Sequence, residues 1–124
     1  MKKVICSEKA PGAIGPYSQA IEANGFVFVS GQLPIDAATG KMAEGITAQA
    51  TQSLENVKHV LAAAGLTMDN IVKTTVYLAD MSLFGDMNTV YATYFNGAFP
   101  ARSAYAVKQL PKDALVEIEC FAAR

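Results

Sequence analysis

The apolar positions of this chain change period as it proceeds. From Ser18 to Gly31, SQAIEANGFVFVSG, two extended runs flank Asn24-Gly25, a dipeptide that suits a type I′ turn, and the pattern predicts a β-hairpin. Gln32 to Gly45 is punctuated by Pro34, Asp36, Gly40 and Gly45 and reads as a loop with room for a short strand pairing inside it. From Thr47 the period becomes helical: Ala50, Leu54, Val57, Leu61 and Ala64 recur at spacings of four and three, with Thr47 as the cap and Gly65 as the stop. Gln49, Gln52, Glu55, Asn56 and Lys58 fall largely off that stripe, so the helix is expected to lay one apolar face on a sheet.

Ile71 to Asp80, IVKTTVYLAD, reverts to alternation, Val72, Thr74, Val76 and Leu78 against Ile71, Lys73, Thr75 and Tyr77, and predicts a central strand. Asp80 or Ser82 then caps a second helix in which Phe84, Met87, Tyr91, Tyr94 and Phe95 share a side, ending near Asn96-Gly97. Two further strands follow, around Ser103–Lys108 and Leu115–Ala123, joined by QLPKD. Hairpin, helix, strand, helix, hairpin predicts an α+β sheet with its helices on one face and leaves the other face to be covered.

Composition says what does the covering. The chain has 124 residues, enough for one domain spanning 1–124, and is 52% hydrophobic but only 17% charged, against roughly 25% charged in ordinary soluble domains. No run is long and apolar enough to span a bilayer, so a homo-oligomer is the expected cover. The N-terminal MKKVICSEKAPG lacks the apolar core of a secretory signal, which predicts an intracellular protein. Net charge is −1 with a pI near 5.7, and the scattered Lys and Arg residues form no basic stripe, which argues against a nucleic-acid groove.

Familiar catalytic sets are missing. The single histidine, His59, projects away from the apolar helix stripe, which removes Ser-His-Asp and Cys-His arrangements and leaves too few soft ligands for a transition metal. Cys6 and Cys120 lie near opposite ends without CxxC spacing and read as small core residues. Asp69, Asp80 and Asp86 read as helix caps. No phosphate-binding glycine motif follows a strand, so neither cofactor nor metal is expected.

Two stretches carry chemistry. In FPARSAYAV, Arg102 is the only formal charge between Asp86 and Lys108. In LVEIECF, alternation puts Leu115, Glu117, Glu119 and Phe121 on one face and Val116, Ile118, Cys120 and Ala122 on the other. Spacing alone favours a glutamate face that is simply solvated, or one Glu pairing with Arg102 across a terminal hairpin as a structural ion pair; the alternative is that Arg102 forks onto a substrate carboxylate while a nearby Glu positions and activates water.

IGPYSQA (14–20), SGQLP (30–34), QSLENVKHVLAAAGL, IVKTTVYLAD, FPARSAYAV and LPKDALVEIE, in that order and through nearly the whole chain, resemble the YjgF/RidA family of small imine deaminases. The resemblance implies a fold like bacillar chorismate mutase, with a six-stranded, mostly antiparallel sheet and two helices on one face. It also implies a homotrimer around a barrel-like core with clefts between subunits. The implied activity is cofactor-independent hydrolysis of 2-imino acids and their enamine tautomers, shed by pyridoxal-phosphate-dependent threonine and serine dehydratases, to 2-oxo acids and ammonia. Arg102 matches the carboxylate-gripping arginine and Glu117 the water-holding glutamate; Tyr17, Ser30, Gly31 and Asn88 match cleft-lining positions. Ala104 stands where many members have a cysteine whose backbone N–H helps bind the carboxylate, and the Asn96–Phe99 turn is shorter than in many members. The competing reading is a non-enzymatic module that binds a 2-oxo acid or amino acid as a regulatory signal. RNA cleavage and a chaperone role rank below both.

Overall fold

In the computed structural model, which describes residues 1–124, six strands form one sheet: β1 (Lys3–Ile5), β2 (Ala20–Ala23), β3 (Phe26–Gln32), β4 (Ile71–Leu78), β5 (Ala101–Ala106) and β6 (Val116–Ala123). They lie in the order β1-β2-β3-β6-β4-β5. All neighbours run antiparallel except β4 and β5, which are parallel. Two helices, α1 (Ile46–Ala63) and α2 (Phe84–Ala92), complete the α+β architecture.

The predicted hairpin is present. Asn24 and Gly25 both have positive φ, 53° and 78°, as a type I′ turn requires, and Ala23 pairs with Phe26 across it. The loop after β3 contains a single bridge, Ile35 to Met42. Helix α1 buries Ala50, Leu54, Val57, Val60 and Leu61, and they meet Val27, Val29, Val76, Leu78, Val116, Ile118, Cys120 and Ala122 of the sheet in one core. Gly65, at φ 75°, ends the helix as expected: its N–H reaches the Ala62 carbonyl and that of Leu66 the Leu61 carbonyl, both at 2.9 Å.

Several expectations fail for identifiable reasons. Thr47 does not cap α1; the helix starts two residues earlier than that cap would place it, from Gly45 at φ 83°, whose carbonyl accepts from Gln49 N–H at 2.9 Å. Gln49 and Asn56 are buried, because each ties a loop to the helix. Asn56 Nδ2 donates to the carbonyls of Leu33 and Ile35, both at 2.9 Å, and Gln49 bridges the Ala43 carbonyl and the Leu115 N–H. In β4 a register irregularity between Ile71 and Lys73 buries Ile71 and turns Val72 to solvent. Asp80 caps only a short 3-10 turn, accepting from Ser82 N–H at 2.8 Å, and α2 stops at Ala92, short of Asn96-Gly97. Cys6 is exposed; only Cys120 is a core residue.

The largest departure concerns the tail. The last two strands form no hairpin: β5 lies at the sheet edge beside β4, and β6 inserts between β3 and β4. β6 carries the alternation that two-sided pairing demands, Val116, Ile118, Cys120 and Ala122 buried beneath the helices and Glu117, Glu119 and Phe121 opposite. Strand β1, too short for a periodic signal, was not anticipated. The face away from the helices is bare. Phe26, Phe28 and Phe121 are 44%, 40% and 40% exposed there, with Phe28 edge-on to Phe121 at 5.1 Å. No helix is long and apolar enough to cross a membrane.

Replacing Asn56 by Ala strands two loop carbonyls against the helix. The expected loss is about 2–3 kcal/mol in unfolding free energy, measured by urea denaturation.

Candidate active site

Arg102 lies on edge strand β5, in register with Thr74 of β4, which is itself in register with Cys120 of β6. Thr74 and Cys120 are buried on the helix side, so Arg102 points beneath α2. Its Nη1 donates to Asn88 Oδ1 at 2.7 Å, and its guanidinium carbon lies 4.8 Å from the Tyr91 ring centroid and 5.4 Å from that of Phe84. Such stacking stabilises a cation by roughly 0.5–2 kcal/mol, depending on desolvation. The Tyr91 hydroxyl is fixed by a 2.6 Å hydrogen bond with Thr74 Oγ1. Burial pushes its pKa up, opposed by that bond and by the Arg102 charge, so it stays a neutral phenol beside the cation.

No carboxylate approaches Arg102. The one ion pair in the chain joins Arg124 to Glu22 at 2.8 Å, so the hairpin pairing with Glu117 or Glu119 does not form. A guanidinium offers five N–H donors, and Asn88 takes one. Around the remainder lies a cavity of about 460 Å³ lined by Asn88, Tyr91, Ala92, Phe99, Pro100 and Arg102.

Glu117 projects from the opposite face of the sheet, into a second cavity of about 960 Å³ whose walls include Tyr17, Ser30, Gly31, Lys112 and Glu119. Burial first, and then the charge of Glu119, raises its pKa above the usual carboxylate range, and no hydrogen bond offsets either. Glu119 accepts from Tyr77 Oη at 2.7 Å, and that bond helps push the Tyr77 phenol up to about 12.

A backbone irregularity makes room for Glu117. Between Val29 and Gln32 the β3–β6 register slips, inserting Ser30-Gly31 as a bulge, a device that re-aims side chains at functional sites. A Cβ on Gly31 would sit 2.8 Å from Glu117 Cδ and 2.9 Å from Oε2; only glycine lets this wall approach the carboxylate. Ser30 spends its hydroxyl on the Ser18 carbonyl at 2.6 Å, which fixes the bulge to the residue after Tyr17. Tyr17 is half exposed at the rim.

Of the sequence-derived candidates, Tyr17, Ser30, Gly31 and Glu117 therefore share one cavity, while Arg102 and Asn88 share the other. The two have no residue in common. Ala104 lines neither and packs half-buried against the core. Phe84 and Tyr91, whose rings lie against the guanidinium, read in the sequence only as an apolar helix stripe; aromatic enrichment in that stripe is the one signal of their second use. No cluster of three or more His, Cys, Asp or Glu side chains gathers that could hold a metal ion.

Fold and cavities together define a class of small α+β proteins: one six-stranded sheet, two helices on one face, and on the other face a glutamate set against a glycine bulge. A family model described as Endoribonuclease L-PSP matches residues 7–124. A 2-iminobutanoate/2-iminopropanoate deaminase from Salmonella typhimurium is 50% identical over 127 residues, covering 100% of this chain and 99% of that protein. Among solved structures, the YjgF gene product from E. coli superposes with a TM-score of 0.96 at 46% identity over 98% of each chain. E. coli TdcF with bound serine superposes at 0.95 and 43% identity, again over 98% of each. The chain belongs to the YjgF/RidA family.

Glu117 supplies a stability test whose sign is fixed. Its folded pKa lies above its unfolded one, so below about pH 4 the group is neutral in both states and has no effect. As pH rises through the folded pKa, ionisation costs more in the folded protein. Glu117→Gln is therefore expected to match the wild type in acid and to exceed it in thermal midpoint near neutrality.

Proposed function

We propose that this protein hydrolyses 2-imino acids and their enamine tautomers, 2-iminobutanoate and 2-iminopropanoate among them, to 2-oxo acids and ammonia. The observation that carries the reading is the pair of unneutralised charges: a guanidinium with donors to spare, and a half-buried carboxylate bonded to nothing. A 2-imino acid presents the complementary ends, a carboxylate and a protonated C=N carbon that is already electrophilic.

Arg102 grips the carboxylate through parallel N–H bonds, with Asn88 and the two rings holding its plane. Glu117 accepts a proton from water as the oxygen attacks the imine carbon, forming a carbinolamine. Proton return to nitrogen and collapse of that intermediate expel ammonia and leave the C=O. A base whose pKa is raised toward neutrality suits both proton transfers. Positioning and charge placement suffice, because the substrate needs little further activation.

These groups lie on opposite faces of one sheet, so the working site is composite. Three copies close their bare, phenylalanine-bearing faces into a chorismate-mutase-like, barrel-shaped core, and Arg102 with Asn88 of one copy meets Tyr17, Ser30, Gly31 and Glu117 of the next in each cleft. Pyridoxal-phosphate-dependent threonine and serine dehydratases in the cytoplasm are the fitting source of substrate. The serine bound by TdcF favours one competing reading, a sensor of small carboxylates, which binds without speeding ammonia release. RNA cleavage fits less well: the Glu117 cavity sets Glu8, Glu117 and Glu119 against Lys112 alone, a field that repels polyphosphate.

Clearance of 2-iminobutanoate generated in situ by threonine dehydratase, followed as 2-oxobutanoate or ammonia, tests the reading. Arg102→Ala is expected to lose on the order of 10²–10³-fold in kcat/KM, the scale of a broken charge-assisted pair, with its oligomeric state unchanged. Undiminished clearance refutes the role, and a wild type without turnover leaves the sensor. Gly31→Ala pushes a flexible carboxylate rather than backbone, so it should fold normally, its stability within about 1 kcal/mol of wild type, yet lose most of its activity.

A further inference from the structure

One wall of the Glu117 cavity is the irregular stretch between β1 and β2, which contributes Ser7, Pro11, Gly12, Ile14 and Tyr17. Residues Ala13 to Tyr17 of it are exposed, and a single internal bond, Tyr17 N–H to the Gly15 carbonyl at 2.8 Å, shapes its tip. A segment so poorly covered needs an anchor to present Tyr17 and Ile14 at a defined height.

The anchor is Gln19, only 3% exposed. Its Oε1 accepts from Ser7 N–H at 2.6 Å. Its Nε2 donates to the carbonyls of Pro11 at 2.8 Å, Ser7 at 3.1 Å and Ala10 at 3.4 Å. The carboxamide thus meets the backbone at the far end of the loop, twelve residues away, while its own backbone carbonyl accepts from Ser30 N–H at 2.9 Å. One residue closes the loop on itself and ties it to the bulge facing Glu117. That is the construction of an Ω-loop whose ends are pinned by a side chain.

We propose that Gln19 is a positioning residue of this site: by closing residues 7–19 into a fixed loop it holds Tyr17, Pro11 and Ile14 over the Glu117 cavity and sets how tightly substrate is held. Loss of a wall that touches the substrate equally in ground and transition states raises KM and spares kcat, and that is the effect expected of freeing this loop. This rests on the deaminase reading.

The test compares Gln19→Met, which keeps the volume but removes the hydrogen bonds, with Gln19→Glu, which keeps the acceptor for Ser7 N–H and loses the donors. Asn70→Ala serves as a control of stability alone, since Asn70 binds the Ala123 carbonyl and Thr67 N–H and lines neither cavity. In Gln19→Met, the amides of Ser7, which loses its acceptor, and of Tyr17 should exchange on the order of tenfold faster while those of β3, β4 and β6 keep their protection. KM for 2-iminobutanoate should rise on the order of tenfold, with kcat within about twofold of wild type. Gln19→Glu should fall between, and it carries the test if Gln19→Met does not fold. Unchanged exchange and KM, or a KM rise no larger than in Asn70→Ala, overturns the proposal. If the wild type turns over no imine, the deaminase reading fails by itself; the exchange measurement still decides whether Gln19 closes the loop, and unchanged exchange at Ser7 and Tyr17 in Gln19→Met overturns that.

Discussion

A guanidinium and a carboxylate within one small chain would ordinarily find each other, and here a six-stranded sheet keeps them apart. Arg102 is directed beneath α2 by its register with Thr74, and Glu117 emerges on the far side of β6. Each is partly withdrawn from water, and that withdrawal makes any later pairing strong, because charge interactions gain as the dielectric falls. The chain cushions the cost in different ways: aromatic faces and one amide for the cation, elevated proton affinity for the acid. An internal salt bridge would have added stability and left nothing for a ligand to satisfy.

The separation depends on irregular backbone, and irregularity divides what the sequence discloses from what it hides. Periodic elements were legible: the Asn24-Gly25 hairpin, the stripe of α1 with its Gly65 stop, and the alternation along β6 that put Glu117 and Glu119 on one face. Arg102 stood out for the same kind of reason, a lone charge in an apolar stretch. The order of strands was not legible, because local pattern does not say that β6 slips between β3 and β4 or that β5 runs parallel at the edge. Nor did amphipathic counting foresee buried Gln49 and Asn56, whose carboxamides satisfy loop carbonyls rather than water.

Around the cavities the hidden features concentrate. The Ser30-Gly31 bulge is a register slip with no compositional mark beyond an unremarkable Ser-Gly pair. The PKD turn at the cavity rim holds two successive non-glycine residues, Lys112 and Asp113, at φ 57° and 56°, a conformation usually left to glycine, asparagine or aspartate. Family motifs pointed to SGQ and LPKD as units, and physical pattern alone did not. Likewise Phe84 and Tyr91 looked like core residues because a ring packed on a guanidinium has the same periodicity as one packed on leucine.

The insertion of β6 also orders events during synthesis. Its partners β3 and β4 are complete well before it, and neither has its second neighbour until Val116–Ala123 has left the ribosome. Until then two edges, that of β3 beside its exposed phenylalanines and that of β4, face solvent with their amides unpaired. Closure of the sheet therefore waits for β6, and a chain stopped between α2 and β6 keeps both edges open, the condition under which strands pair with other chains.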